Sequence, residues 1–167
     1  MKRFLRSIAA LALAVFVGLM LRSFVVGFTF VAGDSMNDTL MTGDVALLSR
    51  WDYLLGEPQR GDIAQLELEQ RGGLYLKRVI GLPGETVEIT DGVVYIEGRP
   101  LNEPYVTPSE DDYYIELGWD EYFVLGDNRA VSYDSREEDF GAVSIGCFRG
   151  RVRGIIWPPE RIGFGIE

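Results

Sequence analysis

The sequence predicts a mainly β protein, with folded antiparallel sheets closing into a barrel-like body, preceded by one N-terminal membrane-spanning helix. Three observations predict this. Apolar-rich runs of four to seven residues recur between Gly, Pro and Asp clusters, which is the spacing of short strands. Asp91-Gly92 stands between two such runs, the strongest short-range pattern of a two-residue hairpin. Ahead of them, Phe4 to Leu21 is apolar except for Arg6 and Ser7, and its alanines and leucines favour helix over strand.

That first run is 18 residues long, close to the roughly 20 that span a bilayer. Lys2, Arg3 and Arg6 hold its start on the cytoplasmic side, so the chain beyond about Arg22 is expected outside, with Arg22 snorkelling to headgroups. The alternative is a cleaved secretory leader, with small-residue sites such as Val25-Val26-Gly27 just downstream. Residues 1–22 therefore read as a basic tip plus anchor, and residues 23–167 as one extracytoplasmic domain.

The valine- and phenylalanine-rich stretch from Phe24 to Ala32 reads as the first strand, running straight into Gly33-Asp34-Ser35. Val45 to Leu48 and Ile63 to Leu68 follow, broken by Gly56-Glu57-Pro58 and Arg60-Gly61-Asp62. Leu74 to Ile80 is ended by Gly81-Leu82-Pro83-Gly84. Thr86 to Thr90 and Val93 to Ile96 form the hairpin, and Glu121 to Leu125 enters the turn Gly126-Asp127-Asn128. Glu110 to Glu116, acidic and rich in tyrosine, reads as a solvated loop or an edge hairpin.

Composition excludes several functions. Beyond residue 22 stand 12 basic and 26 acidic residues, a net −14 that repels phosphate backbones, so nucleic acid is not an expected partner. The lone Cys147 forms no internal disulfide and no zinc site by itself, and reads as a small buried apolar residue. The chain has no histidine, so a serine nucleophile would need another base, and lysine is the known substitute.

Two local patterns supply that pair. Gly33-Asp34 ahead of Ser35 permits a tight turn that presents the hydroxyl and frees backbone N–H groups for an oxyanion. In the strand around Lys77, alternation puts Tyr75, Lys77 and Val79 on one face and Leu76, Arg78 and Ile80 on the other, so one of the two cations points into apolar surroundings. If that cation is Lys77, burial lowers its pKa and makes it a base; otherwise both are solvated cations of an edge strand.

In these motifs the chain resembles the bacterial type I signal peptidases, in the compact form typical of Gram-positive bacteria. Their Ser-Met-x-Pro-Thr-Leu box is matched by Ser35, Met36, Thr39 and Leu40, and their Lys-Arg-Val-Ile-Gly-x-Pro-Gly box from Lys77 to Gly84. A third box is matched at Gly126, Asp127, Asn128, Ser132, Asp134, Ser135 and Arg136. Arg60-Gly61-Asp62-Ile63, Phe140-Gly141-x-Val143 and Ile156-Trp157-Pro158 extend the likeness in family order.

The resemblance implies a membrane-anchored serine endopeptidase that cleaves signal peptides from exported preproteins after small residues at positions −1 and −3, without metal or organic cofactor. It implies Ser35 as nucleophile, Lys77 as general base and Ser132 as the hydroxyl that orients the lysine. Asp127 would pair with Arg78 and Asp134 with Arg136 as scaffolding, and the Ser35 N–H would serve the oxyanion. Some relatives carry a serine donor two residues before the nucleophile; Gly33 stands there, leaving the second donor unassigned. Asp38 replaces the usual proline, which is expected to loosen the turn and to bring a carboxylate near the site. Two rival readings are a self-cleaving Ser-Lys repressor, which lacks here its basic DNA-binding segment, and a catalytically silent anchored β module.

Overall fold

The computed structural model describes residues 2–68, 72–107 and 109–166. A helix, α1, runs over Lys2–Val25 and passes directly into strand β1, Val26–Phe30. The strand expected from Phe24 therefore starts two residues later, where β-branched and aromatic residues take over from the helical run. Among the described residues no helix is long and apolar enough to cross a membrane, so the expected span is not found by that measure. The apolar side chains that are described on α1, among them Phe4, Ile8, Leu11 and Phe16, are exposed. The side chains of Lys2, Arg3 and Arg22, on which cytoplasmic placement and snorkelling were expected, lie outside the described residues.

Strand β2 (Val45–Ser49) pairs antiparallel with β1, and a short helix α2 (Trp51–Leu55) follows. Then come β3 (Ile63–Leu68), β4 (Gly73–Gly81), β5 (Thr86–Thr90), β6 (Val93–Ile96) and β7 (Arg99–Pro100). The chain ends with β8 (Tyr113–Glu116), β9 (Glu121–Leu125), β10 (Val143–Ser144), β11 (Phe148–Trp157) and β12 (Gly163–Phe164). The large sheet has the order β1-β2-β11-β3-β4-β9-β10, with β12 beside β11; the small one is β7-β6-β5-β8.

The large sheet has two ends, β1 and β10, so the expected barrel closure is not found and the fold is two open antiparallel sheets. Glu110 to Glu116, expected as loop or edge hairpin, contains the edge strand β8 paired to β5. Strand β11 was not expected at all. Its alternating Arg149, Arg151 and Arg153 and two interior glycines are poor strand formers, yet it lies between β2 and β3 at the middle of the large sheet. Its arginines find acceptors there: Arg151 bonds buried Asp62 at 2.9 Å, and Arg149 bonds Glu67 at 2.6 Å.

One apolar cluster underlies β2 and β11 and the turn after β1, with Met36, Leu40, Leu48, Ile63 and Val152 among its members. A second lies on the opposite side of β3 and β4 around Leu66, Val79 and Phe148. The third joins the two sheets, packing Ile80 and Phe123 against Val87, Val94 and Leu117. Gly81 is required at this crossing, because a Cβ there would come within 2.6 Å of Val87 and 2.7 Å of Leu117. Asp91 and Gly92 both have positive φ, 50° and 76°, as the two-residue hairpin demands. Cys147 is half-buried beside the second cluster rather than enclosed by it, since it falls in a single surface turn of 3₁₀ helix over Ile145–Cys147.

Candidate active site

Ser35 sits in the turn that follows β1. Gly33, at φ 97°, makes the turn possible, and its N–H donates to Thr42 Oγ1 at 3.0 Å. The Met36 carbonyl then accepts from Leu40 N–H at 2.8 Å, and the Met36 and Leu40 side chains insert into the core. Apolar anchors on one side of the serine thus hold its hydroxyl on the other.

Lys77 lies on β4, opposite Ala64 of β3. Its Nζ donates to Ser35 Oγ at 2.8 Å, although 42 residues separate the two. Lys77 is 3% exposed. Loss of solvent pushes its pKa down from 10.5 to about 8; Arg136 adds to the lowering, and Asp134 and Asp127 oppose it. A neutral amine within hydrogen-bond reach of a serine hydroxyl can take its proton.

The neighbouring cation is buried as well: alternation sends one of the two into apolar surroundings, and the structure encloses both, so neither is a solvated cation of an edge strand. Strand β4 is interior, and β9 joins it from Arg78 onward. Arg78 makes a bidentate pair with Asp127, at 2.9 Å from Nε to Oδ1 and 2.8 Å from Nη2 to Oδ2. Its guanidinium also lies 3.8 Å from the centroid of the Tyr105 ring. The Thr39 hydroxyl donates to Asp127 Oδ2 at 2.5 Å, tying the serine turn to the same carboxylate.

The third motif packs against the pair through backbone. Asn128 N–H donates to the Ser35 carbonyl at 3.0 Å, and Gly126 N–H donates to Asp134 Oδ2 at 3.0 Å. Arg136 closes the loop with Nε 2.9 Å from Asp134 Oδ1 and Nη2 3.0 Å from Oδ2. Ser132 is buried beside them, but its hydroxyl has no hydrogen-bond partner among the described residues. The expected bond from Ser132 to Lys77 is not formed: that hydroxyl lies over Gly126, and Lys77 Nζ bonds Ser35. A Cβ at position 126 would come within 2.2 Å of Ser132 Oγ and 2.4 Å of the Ser35 carbonyl oxygen.

Asp38 is exposed. The loosening expected from the missing proline is countered by Arg161, which takes the Thr39 carbonyl at 3.2 Å and the Asp38 carbonyl at 3.5 Å. The same guanidinium grips buried Asp44 through Nε at 2.9 Å and Nη2 at 3.0 Å. Arg161, Asp44, Thr42 and Tyr105 were missed at the sequence level, and only the motif threonine, Thr39, carried a local signal. Arg161, Asp44 and Tyr105 act over long sequence separations, and Thr42 reaches back nine residues to Gly33, distances that no spacing rule reports.

A cavity of about 450 Å³ opens at the pair, walled by residues 28–33 of the β1 edge and 74–77 of β4, with Gln65 between them. Among the described residues strand β1 pairs only with β2, and residues 74–77 pair only with β3, so both walls present backbone without a second strand. A larger cavity, about 590 Å³, lies elsewhere between Glu67, Asp120, Phe140 and Cys147 and reaches neither Ser35 nor Lys77. Among the described residues no group of His, Cys, Asp and Glu is set to hold a metal ion.

A mainly β chain with this groove and this serine falls in the class of serine-type peptidases. Residues 2–157 match the family described as "Signal peptidase, peptidase S26". The chain is 36% identical over 170 residues to signal peptidase I of Leptolyngbya laminosa, covering 95% of this chain and 82% of that one. It is 34% identical over 167 residues to signal peptidase I of Bacillus caldolyticus, covering 90% of each. The crystal structure of a signal peptidase I from Enterococcus faecalis superposes with a TM-score of 0.51 at 36% identity, over 57% of this chain and 96% of that one. The chain belongs to the signal peptidase family, peptidase S26, and is a peptidase of the signal peptidase I type.

Proposed function

We propose that the protein removes signal peptides from exported preproteins with Ser35 as nucleophile and Lys77 as general base. The observation that carries this reading is the 2.8 Å contact between Lys77 Nζ and Ser35 Oγ, at the wall of a groove, in a chain without histidine. Neutral Lys77 takes the Ser35 proton as the oxygen attacks the scissile carbonyl, and the Ser35 N–H faces the oxyanion. The lysine returns the proton to the leaving amine, and a lysine-activated water then hydrolyses the acyl-enzyme.

Asp127, Arg78, Asp134 and Arg136 act as scaffold, each pair holding one side of the site. Ser132 is assigned to steady the lysine as Ser35 becomes acylated. Its buried hydroxyl, unpartnered before reaction, is available for that bond. The substrate lies as an extended strand between the β1 edge and residues 74–77, with small side chains at positions −1 and −3. Exposed Phe28 and Phe30 and the exposed apolar side chains of α1 support membrane anchoring, with the site held close to the lipid on the extracytoplasmic side.

The test is incubation of the full chain with a preprotein and N-terminal sequencing of the product. A single new terminus at the signal-peptide junction, absent with Ser35→Ala, is expected; an unprocessed preprotein would overturn the reading. Protease added outside spheroplasts should cut near Glu110 to Tyr114, and protection there would overturn the topology.

A further inference from the structure

We infer that Gln65 and Thr29 form a polar pocket that selects a hydroxyl-bearing residue, serine or threonine, at position −3 of the substrate. This inference rests on the proposed peptidase reading and refines its expectation of a merely small side chain.

Gln65 is 6% exposed on β3 and lines the cavity that holds Ser35 and Lys77. Val31, Met36 and Leu76 supply apolar lining beside it, and Arg50 and Tyr75 line the same cavity. Gln65 Nε2 donates to Thr29 Oγ1 at 2.9 Å, and this is the one hydrogen bond of its side chain among the described residues. A carboxamide carries two N–H donors and an oxygen with two lone pairs, so one bond leaves most of its capacity directed at the cavity. The Gln65 side chain lines the cavity, so the groups left over from the bond to Thr29 are within reach of a bound chain.

Position follows from strand geometry. Thr29 and Val31 face inward from β1, while Phe28 and Phe30, 50% and 80% exposed, face out. Thr29 stands two residues before Val31 on the inward face of that wall, and Gln65, paired with Leu76, meets it from β3. An extended substrate presents alternate side chains to one wall about 7 Å apart. With position −1 at the Ser35–Lys77 end, the next inward side chain is −3, at the Gln65–Thr29 end. The chain direction agrees: β1 leads from α1 toward Ser35, so Thr29 lies on the side from which a membrane-tethered substrate enters.

A serine hydroxyl at −3 can both donate to Gln65 Oε1 and accept from its amide. A valine there displaces water from the carboxamide and returns nothing, and sites built to hydrogen-bond reject analogues that cannot.

The test uses the full chain and two preproteins that differ only in carrying serine or valine at −3. The wild type should process the serine form roughly five- to tenfold faster in kcat/KM. Gln65→Leu, nearly volume-conserving, should lose or invert this ratio, and Thr29→Val, on an edge strand, should reduce it. Thermal unfolding checks that both variants are folded, so that an unchanged ratio reports on the pocket and not on damage to the fold. A wild type that favours valine, or a ratio unchanged in both variants, would overturn the inference. Absence of any Ser35-dependent cleavage would instead overturn the peptidase reading on which it depends.

Discussion

At the scale of single residues the chemistry turns on how far burial can take Lys77 from its solution behaviour. An unperturbed lysine is neutral in only about 0.04% of molecules at pH 7, whereas one lowered to about 8 is neutral in roughly a tenth. Activity should therefore rise with pH through about 8 and level off above it, which a kcat/KM profile on one preprotein checks. The sign for stability follows from the same shift. Between about 8 and 10.5 the unfolded chain binds the proton that folded Lys77 has lost, so this group's contribution to stability rises with pH across that window. Lys77→Arg, which keeps the charge but cannot deprotonate, should be folded and nearly inactive. Ser35→Ala should match it, and the double variant should be no worse than either. Ser132→Ala gives a separate signature. Removing a buried hydroxyl without a partner should leave stability unchanged or raised while activity falls, a split that thermal unfolding and kcat/KM measured together would reveal.

At the scale of elements the site depends on the turn after β1 and on the loop after β9 meeting at backbone distance. Gly126 is the contact point. Its alanine variant would drive a methyl into the Ser35 carbonyl and Ser132, and a displacement of about 1 Å at the nucleophile costs on the order of 10²-fold in rate. A Gly126→Ala enzyme within threefold of the parent would contradict that packing. Arg161 gives a milder case. Arg161→Ala removes its hold on the Thr39 carbonyl and on Asp44, so amide exchange over residues 37–41 should quicken and activity should fall several-fold. Unchanged exchange would mean that the turn is held by its apolar anchors, Met36 and Leu40, alone.

At the scale of the whole molecule, the Arg78–Asp127 pair joins β4, the loop after β9 and, through Thr39, the serine turn. Both side chains are almost completely enclosed. Asp127→Ala would leave the guanidinium unpaired in the interior, a loss of about 3–5 kcal/mol that denaturant unfolding of the full chain would measure. A loss below about 1 kcal/mol would show that water reaches Arg78. Two sheets joined through one packed core would transmit such a loss to the whole fold, since the core between them is shared by Ile80, Phe123, Val87 and Leu117.

Much of this was legible along the chain because local rules set it. Short apolar-rich runs between turn residues marked β3, β5, β6 and β9 at their observed limits, and Asp91-Gly92 marked its hairpin, since strand composition and turn chemistry act within a few residues. Motif resemblance singled out Ser35, Lys77 and their supporting loop. Contacts between distant segments decided the rest. Strand β11, with the wrong composition for its place, is stabilised by the acceptors and neighbours that the sheet brings to its arginines. Whether Lys77 or Arg78 would be enclosed could not be read from alternation, because burial of both depends on β9 covering one part of β4 and on Asp127 arriving from 49 residues away. The sequence by itself determined which residues carry reactive groups. Tertiary structure decided which of them lose water and face one another, because desolvation and hydrogen bonding depend on three-dimensional neighbours.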